Sequence, residues 1–227
     1  MAVEIDVFED IWRRNEELAA QVNADLNAKS IFTVNVLGSP GAGKTTVLSH
    51  IIPLLNAPGF VIEGDVQSDI DTQRLQALGI PARQINTGGA CHLDAPQIAG
   101  ALSHWADLAQ ESPRFLFIEN IGNLICPAEF TIGEHAKLLI VTVTDGSDKP
   151  YKYPLAFEKA DVIILNKVDL LPYVDFDRDY FTAGVRRLNA DAPIFCVCGR
   201  NSAQGQGFEE VASWLMKKAA ESGNTIQ

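Results

Sequence analysis

Residues Gly38-Ser39-Pro40-Gly41-Ala42-Gly43-Lys44-Thr45 read G-x-x-x-x-G-K-T, and what stands on either side limits the folds open to the chain. Before them, Ile31-Phe32-Thr33-Val34-Asn35-Val36-Leu37 is apolar and rich in β-branched residues, the pattern of a buried strand. After them, Thr46-Val47-Leu48-Ser49-His50-Ile51-Ile52 continues as a helix until Pro53 stops it. Strand, glycine-rich loop and helix form the context that makes such a pattern a phosphate site. Glycines let backbone N–H groups close around an anion, and the helix N-terminus adds partial positive charge. Residues 38–46 therefore read as a nucleotide-binding stretch. Lys44 reaches the β- and γ-phosphates, and Thr45 Oγ ligates magnesium.

The rest of the chain repeats the same alternation. Strands are expected at 59–65, 82–86, 114–119, 138–143, 161–165 and 194–197, with helices at 68–78, 94–110, 177–189 and 207–221. Near-continuous apolar strands alternating with helices indicate a three-layer α/β P-loop NTPase fold, its mostly parallel sheet covered on both faces. Ile5, Phe8, Ile11, Trp12, Leu18, Val22 and Leu26 fall near helical spacing, so residues 1–30 read as an amphipathic helix packed on or beside a domain spanning 31–222. Residues 223–227 read as a frayed tail.

A second motif names the base. Asn166-Lys167-Val168-Asp169 follows a buried strand at its carboxyl end, where ligands bind in open α/β sheets. A carboxylate at Asp169 accepts from guanine N1–H and N2–H; adenine offers no such pair and would leave it unpaired. Asn166 braces base and P-loop, and the Lys167 stem packs on the purine. GTP is the expected nucleotide.

The net charge of −11 argues against nucleic acid or anionic membrane as a partner. No apolar stretch approaches the roughly 20 residues of a membrane span. The first residues lack a basic start with an apolar run, and four cysteines in 227 residues do not suggest a disulfide framework, so the chain reads as cytoplasmic with free thiols. Cys91 and His92 lie in a glycine-bearing loop and Cys126 in the loop after the strand ending at Glu119. Thiolate and imidazole suit nickel, zinc or copper, though free cysteines are also common core residues. Spacing alone favours the core reading; the polar, glycine- or proline-bearing loops around both cysteines bring the two readings level. Cys196 and Cys198 alternate on a strand expected to be buried and read as packing; His50, His104 and His135 read as structural or solvent-facing.

Three longer stretches carry a family likeness. Residues 87–95 (Thr-Gly-Gly-Ala-Cys-His-Leu-Asp-Ala), 118–128 (Ile-Glu-Asn-Ile-Gly-Asn-Leu-Ile-Cys-Pro-Ala) and 148–154 (Asp-Lys-Pro-Tyr-Lys-Tyr-Pro) closely resemble the hydrogenase maturation GTPases of the HypB family. The resemblance spans about residues 31–200 and implies a GTPase that helps insert nickel into the [NiFe]-hydrogenase large subunit beside other maturation factors. It implies a homodimer, promoted by GTP, with Cys91, His92 and Cys126 as interface ligands for nickel or zinc. The amino-terminal cysteine motif or histidine-rich stretch of some members is not among these residues, whose first cysteine is Cys91.

By the same resemblance Glu63-Gly64-Asp65 is a switch motif, and Asp65 binds magnesium or orients the attacking water. Its strand is expected beside the P-loop strand. Glu119 binds magnesium through water, and the Gly122 N–H senses the γ-phosphate. Lys44, Asp65 and Glu119 are the expected catalytic residues. No water-orienting glutamine stands out, so turnover is expected to be slow. Cys126 follows Gly122 by four residues, so a loop drawn to the γ-phosphate would move one metal ligand relative to the other two. Lys149 and Lys152 flank Pro150 in what reads as a loop, either a solvated turn or a contact to the γ-phosphate across a dimer. Competing readings are a urease-type nickel accessory GTPase, a P-loop kinase, and a zinc-stabilised dimeric GTP switch that transfers no metal.

Overall fold

The computed structural model describes residues 7–65, 68–104, 113–199 and 207–223, with side chains from residue 10. The tail expected at 224–227, the helix expected over 105–110 and residues 200–206 lie outside the described residues.

The elements follow the expected alternation: α1 Val7–Ala28, β1 Phe32–Gly38, α2 Lys44–Ile51, β2 Gly59–Asp65, α3 Ile70–Ala77, β3 Ala82–Asn86, α4 Ala95–Ser103 and β4 Phe115–Glu119. Then come α5 Cys126–Glu129, β5 Ala136–Thr142, α6 Lys149–Lys152, α7 Pro154–Glu158, β6 Val162–Asn166, α8 Arg178–Leu188, β7 Ile194–Cys196 and α9 Phe208–Glu221. The seven strands lie in the order β3-β2-β4-β1-β5-β6-β7. Every pairing is parallel, so the sheet is wholly rather than mostly parallel.

Alternate residues of each strand face opposite layers. Val34, Val36, Leu138, Ile140 and Ile164 pack with Val47, Leu48 and Ile51 of α2 and Val211 and Leu215 of α9. On the opposite face, Leu139, Val141, Ile163 and Leu165 meet Phe157 of α7 and Phe181 and Val185 of α8. Phe60, Ile62, Leu116 and Ile118 meet Val22 and Leu26 of α1 and Ile98 of α4. This is the three-layer P-loop NTPase fold. The chain winds outward in both directions from β1, which places the P-loop at the switch point of the sheet.

Four local expectations need correction. β2 is not beside β1; β4 lies between them, pairing Val36 with Glu119 on one side and Glu63 with Glu119 on the other. Asp65 thus ends a strand one removed from the P-loop, and Glu119 ends the adjacent one. β7 is a half-buried edge strand rather than a buried one. The Lys149–Lys152 stretch is a short helix with Pro150 in its first turn, and Cys126 opens another. The N-terminal helix buries Asn15, Ala19, Val22 and Leu26, while Ile11 and Trp12 remain exposed at 52% and 43%. Its amphipathic register thus holds over the carboxyl half only. Asn15 pins it there, donating to the Thr131 carbonyl at 2.8 Å and accepting from Ala95 N–H at 3.0 Å.

Candidate functional site

The P-loop sits between the carboxyl ends of β1, β4, β5 and β6. Gly43 precedes α2 with φ 89°, and no side chain caps the helix, so its first N–H groups face outward. A Cβ at Gly43 would also lie 2.7 Å from Asn166 Nδ2. That close approach is useful, because Asn166 Nδ2 donates to the Ala42 carbonyl at 2.9 Å and Lys167 Nζ to the Gly41 carbonyl at 2.7 Å. Lys167 holds φ 59°, a left-handed conformation unusual outside glycine. Two side chains therefore tie the base-reading loop to the phosphate loop. Asp169 follows half-buried in the 3-10 turn Val168–Tyr173. Gly199 packs on α2, where a Cβ would meet Thr46 Cγ2 at 2.8 Å.

Lys44, Thr45 and Glu119 are 9%, 6% and 5% exposed. Thr45 Oγ1 donates to Glu119 Oε1 at 2.9 Å, while Glu119 Oε2 is buried with no hydrogen-bond partner among the described residues. Burial pushes the Glu119 carboxyl up to about 7, against the pull of the Lys44 ammonium. Burial likewise lowers Lys44, which Glu119, Asp71, Glu63 and Asp65 counteract. A hydroxyl beside a buried, under-satisfied carboxylate suits a hard cation that accepts oxygen ligands. Asp65 is half-buried at the end of β2, and its carbonyl receives Thr87 N–H at 3.1 Å, joining that strand to the loop carrying Cys91.

Sequence reasoning gave no role of their own to Glu63 and Asp145. Glu63 is 4% exposed and accepts from Thr72 Oγ1 at 2.6 Å; burial raises its pKa. Its place among apolar strand residues was the available signal. Asp145 Oδ2 accepts from Ser39 Oγ at 2.8 Å and Thr142 N–H at 3.0 Å, fastening the P-loop to the end of β5. Asp71, in the first turn of α3, is half-buried within electrostatic reach of Lys44. Lys152 pairs with Asp148 at 2.5 Å on the surface, and Lys149 Nζ lies 5.1 Å from the centre of the Tyr153 ring.

The soft ligands converge although 35 positions separate the first from the last: ligand atoms of Cys91, His92 and Cys126 all lie within 4.8 Å of one another. Cys91 Sγ and His92 Nδ1 are 3.3 Å apart. Cys91 is exposed and Cys126 half-buried, so neither is an ordinary core thiol. The hydrogen bond to Cys126, then burial, raises the Cys91 thiol, and burial lowers His92, keeping its imidazole neutral and able to ligate. His92 is stacked on Phe130, ring centres 4.4 Å apart, and Phe130 meets Trp12 at 5.5 Å. Three of the remaining cysteines and histidines have partners elsewhere in the fold. Cys196 Sγ accepts from Arg178 Nη2 at 3.2 Å, His50 stacks on Phe208 at 4.7 Å, and His135 Nδ1 accepts from Thr33 N–H at 2.9 Å.

Residues 32–196 match the CobW/HypB/UreG nucleotide-binding domain family. The hydrogenase maturation factor HypB of Azotobacter vinelandii is 46% identical over 214 residues, 93% of this chain and 69% of that protein. The chain belongs to the HypB family. The HypB of Escherichia coli K12 is 42% identical over 217 residues, covering 95% of this chain and 71% of that one. The crystal structure of HypB from Helicobacter pylori in complex with nickel superposes with a TM-score of 0.86 at 33% identity, over 92% of this chain and 96% of that one. Membership in the HypB family, with this fold, makes the chain a nucleotide-binding GTPase. No helix among its described residues is long and apolar enough to cross a membrane.

Proposed function

We propose that this chain is a GTP-hydrolysing metallochaperone that assists nickel insertion into [NiFe]-hydrogenase, with its metal ligands coupled to the nucleotide switch. The observation that supports it most is the gathering of two thiols and an imidazole within 4.8 Å, one of them four residues beyond Gly122. Such a donor set suits a soft or borderline divalent ion as cargo, nickel or zinc, and leaves a fourth position for water, a second subunit or a recipient protein.

The nucleotide end works by positioning and charge neutralisation. Asp169 accepts from guanine N1–H and N2–H. Gly38, Ser39, Pro40, Gly41, Ala42, Gly43, Thr45 and Thr46 shape the phosphate cradle, and Lys44 supplies its buried ammonium to the β- and γ-phosphates. Thr45, Glu119 and Asp65 would hold magnesium, directly or through water. When bound, that cation neutralises phosphate charge and favours Glu119 as carboxylate. The Gly122 N–H meets the γ-phosphate, and Asp65 or Glu119 orients the attacking water. With no arginine or glutamine assigned to the transferred phosphoryl group, turnover is on the order of 10⁻³ s⁻¹ or slower. The protein acts in the cytoplasm as a GTP-promoted homodimer with hydrogenase maturation partners, and Lys149 or Lys152 serves the dimer interface or the γ-phosphate.

Purified protein is expected to hydrolyse GTP in preference to ATP and to bind nickel with thiolate-to-metal absorption. Cys126→Ala should abolish that absorption while GTP binding persists. Sedimentation with and without a GTP analogue tests the dimer. Loss of the dimer in Cys126→Ala with nickel delivery intact would instead favour a structural zinc.

A further inference from the structure

Gly122 is bracketed by two asparagines whose side chains reach across to the other metal loop. A Cβ on Gly122 would lie 2.9 Å from Pro40 Cα and 3.0 Å from Pro40 N, so this glycine rests directly on P-loop backbone. On one side, Asn120 is 1% exposed; its Oδ1 accepts from Leu93 N–H and Ile121 N–H, both at 3.0 Å, and its Nδ2 donates to Asn35 Oδ1 at 3.2 Å. Asn35 continues to Glu134 Oε1 at 3.4 Å, and Lys137 pairs with Glu134 while donating to the Phe130 carbonyl at 3.1 Å. This buried chain fixes Leu93, just after His92, and the strand leaving α5. It is a frame.

Asn123, on the other side, is half-buried and contacts the P-loop, the turn before Cys126 and the loop carrying Cys91. Its backbone bridges antiparallel to Gly38, the first P-loop glycine. Its Oδ1 accepts from Ile125 N–H at 2.8 Å, immediately before Cys126. Its Nδ2 donates to the Cys91 carbonyl at 3.2 Å. The bond to Ile125 is an ordinary Asx turn and needs no further reason. The bond to Cys91 is not local: it spans 32 positions and joins the backbone of one metal-ligating cysteine to the turn that sets the other.

We propose that Asn123 is the positioning residue that transmits the nucleotide state to the metal ligands. This rests on the coupling set out above and names its route. When the Gly122 backbone shifts against the P-loop, Asn123 shifts with it as the neighbouring residue. Asn120 and its buried partners hold Leu93 still, so the Asn123–Cys91 hydrogen bond is what transfers the shift to the Cys91–Cys126 separation. Asn123 contributes no ligand atom to the Cys91–His92–Cys126 cluster and belongs to neither the P-loop nor the Asn166–Asp169 stretch. Its substitution should therefore change how the two sites communicate more than it changes either site.

The test compares nickel affinity, by chelator competition, in protein loaded with GDP and with a non-hydrolysable GTP analogue. Wild type, Asn123→Ala and Asn123→Asp are measured side by side. Aspartate keeps the acceptor for Ile125 N–H but cannot donate to the Cys91 carbonyl. Its added charge acts on nickel in both nucleotide states and largely cancels in their ratio. The wild-type affinities are expected to differ by about fivefold or more between states. Both variants are expected to bind nickel with the two affinities within about twofold of each other. Variants that retain the wild-type ratio would overturn the assignment. So would variants that lose nickel in both states, since Asn123 would then build the site rather than link it. Equal affinities in the wild-type protein would instead remove the coupling itself, and with it any route.

Discussion

Glu119 carries an unresolved demand in the described structure: a carboxyl 5% exposed, one oxygen held by Thr45 and the other without a partner. Burial moves it from its ordinary 4.5 to about 7. Between those values the folded protein holds a proton that the unfolded chain has released, so stability falls as pH rises through that window. Such a displacement corresponds to roughly 3 kcal/mol. Glu63 is shifted in the same direction. Denaturation midpoints measured without nucleotide at pH 5 and pH 7.5 should therefore show a larger loss on going to the higher pH in wild type than in Glu119→Gln. Identical pH dependence in both would mean that Glu119 is not buried as described. At the other end of the site, Asp169→Asn replaces an acceptor of two guanine donors with an amide that accepts only at its oxygen. GTP affinity should fall by roughly a hundredfold, two charge-assisted hydrogen bonds being at stake. Calorimetric titration checks this, and undiminished binding would refute the guanine assignment.

Among the elements, α1 is held by polar side chains as well as by its apolar stripe. Asn15 satisfies the Ala95 N–H at the start of α4 and holds the Thr131 carbonyl. Asn15→Ala leaves both unpaired and should cost about 1–3 kcal/mol, read from the urea midpoint. A variant as stable as wild type would show that α1 is held otherwise. Strand identity was legible because every strand except the largely polar β3 is a dense apolar run, and so was the P-loop, whose chemistry is written in consecutive residues. Strand order was not. Consecutive strands usually neighbour one another, but here β4 enters between β1 and β2, and nothing local to either strand records it. The helices at Cys126–Glu129 and Lys149–Lys152 span four residues each, too short for any periodicity to show. Cys91, His92 and Cys126 were visible as residue types, whereas their convergence depends on Asn120, Asn123 and Thr87, whose hydrogen bonds cross between loops. Glu63, named only as part of the Glu63-Gly64-Asp65 motif, received no role of its own because a strand pattern does not say which charged residue is turned inward.

For the molecule as a whole, one segment runs from the buried Glu119 through Gly122 at the P-loop to Cys126 beside Cys91 and His92. Two ligand sites coupled through one segment influence each other equally in both directions. The reciprocal measurement therefore tests the account most directly: the affinity of wild-type protein for GDP and for a GTP analogue, each with and without saturating nickel. Nickel is predicted to shift the preference between the two nucleotides by the same factor, about fivefold or more, by which those nucleotides shift nickel affinity. Nucleotide affinities unmoved by nickel would contradict it, leaving a guanine-nucleotide switch and a metal site that merely share a fold.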